Sequence, residues 1–167
     1  MKSYCGGRRI GQWARRAAKE PSPRVWAAAT YACADLPDAL LNARLVQTAG
    51  TVASKPLDSI PRVSRDWAEA KAIYRFVENE RVTVDGLLQP LRQATARQGT
   101  GLSAVVAVQD TTYMTFPKAN VIEGLGAIVA QPRTTVGMLV HSTLAVREDG
   151  LPVGLLDVQC WCREPNE

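Results

Sequence analysis

Apolar residues in the first hundred positions recur at the spacing of amphipathic helices. In the segment DALLNARLVQTAGTVAS they fall on one helical face, and Asp38 is placed to cap the N-terminus. Pro56 and Pro61 interrupt the pattern, and RDWAEAKAIYRFVEN then predicts a second helix, capped by Ser64 or Asp66. The residues predicted to face inward are Leu41, Leu45, Ala49 and Val52 in the first helix and Trp67, Ala70, Tyr74 and Val77 in the second.

A third helix is predicted from Thr83, over the segment TVDGLLQPLRQATARQ. Its inward residues are expected to be Leu87, Leu88 and Leu91. Pro90 weakens or kinks this helix, because an interior proline costs about 3 kcal/mol.

The pattern changes near residue 100, where β-branched runs and turn signals begin. Val105–Val108 predicts a short, fully buried strand, and the segment 116–133 predicts a long loop. Two further strand-like runs, TTVGMLVHSTLAV and LPVGLLDVQCWC, are joined by a turn ending in Asp149-Gly150, which is a strong hairpin signal. The sequence therefore predicts an α+β fold with an arm at 1–30, a helical domain at 31–100 and a sheet domain at 101–167.

Composition restricts the class of protein. The chain has 167 residues, of which 46% are hydrophobic and 22% charged, as in ordinary globular proteins. It has no apolar run of about 18 residues, so we expect no membrane-spanning helix. Its four cysteines are too few for a disulfide framework, and we expect a cytoplasmic protein.

The positive charge is concentrated at the front of the chain. The net charge is +4, and residues 1–30 contain seven Lys and Arg against a single Glu. A basic arm with little apolar surface suggests a nucleic acid rather than a membrane as partner. A solvated tail without a partner explains the charge equally well.

Asp110 is the residue whose chemistry is most conspicuous, because it directly follows the predicted buried strand. A carboxylate there has lost hydration and needs a cation, a metal or donated hydrogen bonds. It could be a ligand of Mg²⁺, or it could cap the following turn through its own backbone. The local sequence leaves both open.

Five segments occur in an order that resembles a known family. They are LPDALLNARL, AEAKAIYRFVEN, VAVQDTT, LVHSTLAV and GLPVGLLDVQCWCR. From about Tyr31 to Arg163 the chain is similar to the N-terminal half of bacterial cut-and-paste DDE transposases of the insertion-sequence-four/transposon-five group. The resemblance implies a helical domain that binds the double-stranded transposon ends, followed by the first strands of an RNase H-like domain.

The resemblance also implies which residues bind DNA. Arg44 and Arg75 match arginines that face the end sequence, and Lys55 falls close to another DNA-facing position. Arginine can pair with phosphates or bidentately with guanine. For Arg75 the alternative is an ion pair with Glu78 on the same helix.

In the catalytic domain, the resemblance makes Asp110 the first of three metal-binding carboxylates. Two Mg²⁺ (or Mn²⁺) ions would there clamp the attacking and leaving oxygens of a phosphoryl transfer. The family's second Asp and its Glu belong to later elements, so we expect a truncated chain that binds DNA without catalysis. Asp157 is the one candidate to replace a missing carboxylate, and the alternative is that Asp157 is a charge on the sheet surface.

Three functions remain as expectations. The first is the DNA-binding part of a transposase, acting as a homodimer or as a heterodimer with the full-length protein. The second is a truncated inhibitory module, and the third is an independent metal-dependent nuclease. His141, Cys160 and Cys162 are interpreted as structural residues of the sheet.

Overall fold

The computed structural model describes residues 21–116, 124–127 and 136–162. Most of the predicted basic arm (residues 1–20) and much of the predicted loop lie outside this part of the chain. The helices are α1 (Pro23–Thr30), α2 (Ala39–Ser54), α3 (Ile60–Val63), α4 (Trp67–Val77) and α5 (Val84–Gly99), and the strands are β1 (Val105–Phe116), β2 (Gly126–Ala127), β3 (Val136–Arg147) and β4 (Pro152–Trp161). Helices followed by an antiparallel sheet confirm the predicted α+β class.

The three long helices begin at the residues that the sequence indicates. The carboxylate of Asp38 accepts a hydrogen bond from Leu40 N at 2.8 Å, and that of Asp66 accepts one from Glu69 N at 2.8 Å. The Thr83 hydroxyl accepts from the backbone N of the residue three positions later at 3.1 Å. Each cap satisfies an amide that has no carbonyl partner within its helix.

The sequence pattern places residues 23–30 in the arm, whereas the structure has helix α1 there. It has the ordinary start signals of a helix, since Pro23 occupies the first turn and the Ser22 hydroxyl accepts from Val25 N at 3.4 Å. Helix α1 packs on α2 at Gly50, where an added Cβ would lie 3.3 Å from Arg24 Cα. The helical part of the chain therefore begins before residue 31.

The core of the helical part centres on Leu36, Leu45 and Phe76, which are buried together. The inward face predicted for α4 is only partly correct. Helix α4 buries Ala70, Ile73 and Phe76, whereas Trp67 is 60% exposed. Apolar residues surround much of this helix, so its periodicity permits more than one inward face.

The sheet is built around the β3–β4 hairpin. Strand β3 pairs antiparallel with β1 on one side, and with β4 and the short β2 on the other. Gly150 in the connecting turn has φ +86°, a left-handed conformation that glycine adopts without a steric penalty. The predicted hairpin is confirmed.

Strand β1 differs from the prediction in length and in burial. It extends over twelve residues, and most of them, including Val106 and Val108, are exposed. The sequence suggested burial because the run is apolar, but burial requires a partner layer. Among the described residues, the helix packed against the sheet is α5, and it lies on β4.

Helix α5 and β4 approach closely. The Thr95 hydroxyl donates to the Leu155 carbonyl at 2.7 Å, and a Cβ added at Gly154 would lie 2.3 Å from Thr95 Oγ1. Pro90 lies inside α5 and is fully buried, so tertiary packing offsets the cost of an interior proline. No described helix has the length and apolar character needed to cross a bilayer.

Candidate nucleic-acid interface

A groove between α2 and α4 brings together two of the predicted DNA-binding residues. We call it the Arg75 groove. It is lined by Arg44 and Gln47 of α2 and by Arg75 of α4, with Asn79 and Arg81 just beyond α4. Helix packing therefore places Arg44 and Arg75 on one concave surface.

Neither Arg44 nor Arg75 is neutralised by a neighbouring carboxylate. Within residues 21–116, 124–127 and 136–162, no Asp or Glu lies within 4.0 Å of either guanidinium. The ion pair between Arg75 and Glu78, which was the alternative from the sequence, is therefore not formed. Both guanidinium groups thus have no acidic partner in the described part of the chain.

Arg81 is held differently at the end of the same groove. It lies 3.6 Å from the carboxylate of Asp38 and donates to the Pro37 carbonyl at 3.4 Å. These contacts tie the residues after α4 to the start of α2. Arg81 was not singled out from the sequence, because its position in the groove depends on how the helices pack.

A second groove continues from Arg44 towards α1. We call it the Arg24 groove, and it is lined by Arg24 of α1, by Arg44, Gln47 and Thr51 of α2, and by Arg65, Asp66 and Glu69 around the start of α4. Arg44 and Gln47 line both grooves. The two grooves therefore form one continuous surface across α2.

Glu69 fixes the geometry of this surface. Its carboxylate accepts from Arg65 N at 2.7 Å, from Arg65 Nε at 3.2 Å and from the Thr51 hydroxyl at 3.3 Å. The hydrogen bond from the Arg65 amide is the largest cause that lowers the pKa of Glu69 below its usual value. Asp66 and Glu69 have the spacing of a capping box, but Glu69 accepts from the amide of Arg65, the residue before the cap.

Lys55 lies away from both grooves. It is the exposed residue at the C-terminal end of α2, following Ser54. At 1.5 Å per residue, Arg44 and Lys55 are separated by about 16 Å along the helix axis. Lys55 is not among the residues that line either groove.

Asp110 lies in the middle of β1 rather than at its end. It is exposed and stands opposite Ser142 on β3. The expectation of a dehydrated carboxylate after a buried strand is therefore wrong. No group of three or more His, Cys, Asp and Glu side chains in the described ranges is arranged to hold a metal ion.

Asp157 does not join Asp110. It lies on β4, opposite Thr143, and β3 separates it from β1. Thr143 in turn faces Gln109, the neighbour of Asp110, so the two carboxylates point to opposite faces of the sheet. Asp157 cannot complete a metal site with Asp110 within one chain.

Asp157 has a structural role instead. It accepts a hydrogen bond of 2.5 Å from Arg92 of α5, which also contacts Asp85 at 2.7 Å. The Arg92 guanidinium lowers the pKa of Asp157 below its ordinary value. This pair joins α5 to β4.

His141 is part of the sheet. Its Nδ1 lies 2.8 Å from the Thr111 hydroxyl on β1. This contact is consistent with the interpretation of His141 as a hydrogen-bonded sheet histidine.

Comparison with known proteins identifies the region that contains both grooves. Residues 23–82 match the model of a family described as transposase DNA-binding. This segment is therefore similar to transposase DNA-binding domains, and it precedes the sheet in the chain. It runs from the start of α1 to the turn after α4 and includes Arg24, Arg44, Lys55, Arg65, Arg75 and Arg81. A search of curated proteins gives no match to the chain.

Proposed function

We propose that this chain is the N-terminal, DNA-binding part of a cut-and-paste DDE transposase of the insertion-sequence-four/transposon-five group. In this proposal the Arg75 groove receives the duplex at the transposon end. The observation that carries the proposal is that Arg44 and Arg75, both without an acidic partner in the described ranges, line one groove of a transposase DNA-binding domain.

The chemistry of the groove supports DNA as the ligand. Arginine forms bidentate hydrogen bonds to phosphates and to the O6 and N7 atoms of guanine, and amide side chains can read adenine. The groove offers both types of group, since Gln47 and Asn79 lie beside the two arginines. Phosphate contacts would position the duplex and base contacts would select its sequence.

For DNA binding by this groove, the positions of the charged residues matter more than the net charge of the domain. Residues 23–82 contain eight Lys and Arg and seven Asp and Glu, so the domain as a whole is almost neutral. Two of the acidic residues of the grooves form ion pairs, because Asp38 contacts Arg81 and Glu69 contacts Arg65. The Arg75 groove is lined by three arginines, Arg44, Arg75 and Arg81, and by one carboxylate, Asp38, which favours an anionic ligand.

Equilibrium binding to labelled duplex DNA tests this proposal. We expect Arg44→Gln and Arg75→Gln each to weaken binding by about tenfold, the equivalent of one charged hydrogen bond. Each loss of a phosphate contact should also reduce the slope of log K against log salt by about 0.9. Arg62→Gln is the matched control, because Arg62 is exposed on α3 and lines neither groove. Equal binding by all four proteins would contradict the proposal.

For the sheet, we propose that it belongs to an RNase H-like domain in which Asp110 corresponds to the family's first metal-binding carboxylate. The support is the order of motifs along the chain. The described residues around Asp110 do not by themselves fit a site for Mg²⁺ or Mn²⁺, since a single exposed carboxylate leaves most of the metal's ligands to other groups. We therefore assign Asp110 no catalytic step in this chain.

A module that binds transposon ends without cleaving them is the second candidate. It is favoured by the position of Asp157, which faces α5 and is held by Arg92 instead of facing Asp110. Such a module would occupy transposon ends, or it would form a heterodimer with the full-length transposase. For the first candidate, the DNA-binding part of a transposase, we propose a homodimer on paired ends.

A nicking assay on supercoiled DNA separates the binding module from an independent nuclease. With Mg²⁺ or Mn²⁺ present, we expect no nicking by the chain, and no difference between the wild type and Asp110→Ala. Metal-dependent nicking that disappears in Asp110→Ala would show that the chain is a nuclease.

A further inference from the structure

Arg24 of α1 lies unusually close to the backbone of α2. Gly50 is buried, and a Cβ at this position would lie 3.3 Å from Arg24 Cα and 3.4 Å from Arg24 Cγ. The absence of a side chain at Gly50 therefore lets α1 cross α2 closely. It also allows the aliphatic part of Arg24 to lie directly against the α2 backbone.

This crossing directs Arg24 towards the surface already described. Arg24 is exposed, and it lines the Arg24 groove together with Arg44, Gln47 and Thr51. Gln47 and Thr51 follow Arg44 at helical spacings of three and seven residues, so all three occupy one side of α2. Arg24 thus extends the row of polar side chains that begins with Arg44.

The charges of this groove leave Arg24 available to an anion. Glu69 is engaged by Arg65 and Thr51, and Asp66 accepts from the Glu69 amide as a helix cap. In the described part of the chain, no carboxylate lies within 4.0 Å of Arg24. The aliphatic part of Arg24 is therefore packed against Gly50, whereas its guanidinium has no acidic partner among the described residues.

We propose that Arg24 binds a backbone phosphate of duplex DNA, so that the interface runs from the Arg75 groove across Arg44 to α1. This rests on the proposed function. Arg24 stands on the exposed side of the groove with its stem fixed on Gly50, which suits a contact to the outer surface of the duplex. Such a contact adds affinity irrespective of sequence.

The test is a salt titration of the full chain with a labelled duplex of mixed sequence, over about 50 to 200 mM salt. We expect Arg24→Gln to bind about tenfold more weakly at the low end, with the slope of log K against log salt reduced by about 0.9. Arg24→Lys, which keeps the charge, should retain the wild-type slope. Arg62→Gln, which changes the net charge equally, should bind as the wild type does.

The outcomes separate this inference from the proposed function. An unchanged slope for Arg24→Gln, together with weakened binding by Arg44→Gln and Arg75→Gln, would overturn the role of Arg24 alone. Equal losses for Arg24→Gln and Arg24→Lys would also overturn it, since they would indicate a packing role on Gly50. If the wild-type chain does not bind duplex DNA, the proposed function itself fails.

Discussion

At the scale of single residues, Glu69 shows how one side chain can set the geometry of the candidate interface. Its carboxylate accepts from the backbone and side chain of Arg65 and from the Thr51 hydroxyl. Asp66 caps α4, and Glu69 joins the first turn of this helix to Arg65 before it and to Thr51 on α2. The relative position of Arg44 and Arg75 depends on this link, since they lie on the same two helices.

We expect Glu69→Gln to destabilise the chain by about 1 kcal/mol near neutral pH, because it removes the charge from the carboxylate that accepts hydrogen bonds from Arg65 and Thr51. The native state lowers the pKa of Glu69, so the ionised carboxylate contributes stability above its unfolded pKa and loses it as the pH falls through the lower, native value. The difference in thermal midpoint between wild type and variant should therefore shrink in acid. Glu78→Gln is the control. It removes the same charge from an exposed residue at the C-terminal end of α4. A difference that persists unchanged at low pH would contradict this assignment.

The candidate DNA-binding residues were predictable only in part. Arg44, Arg75 and Lys55 came from the resemblance, whereas Arg24 and Arg81 enter the grooves through packing between segments distant in sequence. The error at Asp110 has the same origin. Its apolar neighbours indicate a strand, but whether a strand is buried depends on what lies against it.

At the scale of elements, the local signals were the more reliable. Asp38, Asp66 and Thr83 cap their helices as expected, because a cap depends on residues within one turn of one another. The hairpin at Gly150 is local in the same sense. The inward face of α4 could not be predicted from its own residues, because the helix is apolar on more than one side. Which side is buried depends on packing with the neighbouring helices.

The contact between α5 and β4 gives a prediction at this scale. An alanine at Gly154 would place its Cβ 2.3 Å from Thr95 Oγ1, so the helix or the strand must shift. We expect Gly154→Ala to cost about 1–3 kcal/mol in the free energy of unfolding, as other overpacked sites do. Urea denaturation measures this cost.

Gly99→Ala is the matched control for that experiment. Gly99 is the last residue of α5, and a Cβ there meets nothing within 4 Å. This substitution should be neutral or slightly stabilising, because alanine favours helix over glycine. Equal stability of Gly154→Ala and Gly99→Ala would mean that α5 does not pack on β4 as described.

At the scale of the whole molecule, the helical part and the sheet differ in what covers their apolar residues. Leu36, Leu45 and Phe76 form a shared core among the helices, whereas Val106 and Val108 of β1 remain exposed. The class of fold followed from the change of pattern near residue 100. Which strand residues are buried could not be predicted in this way, because burial depends on how the helices and strands pack together.

The central claim is that duplex DNA binds the surface formed by α2 and α4. Hydrogen–deuterium exchange of the full chain, measured with and without duplex DNA, tests it most directly, because amides in a bound surface exchange more slowly. The account predicts protection of peptides that cover Ala39–Ser54 and Trp67–Val77, with little change in β3 and β4. Protection confined to the sheet, with α2 and α4 exchanging as in the free protein, would contradict it.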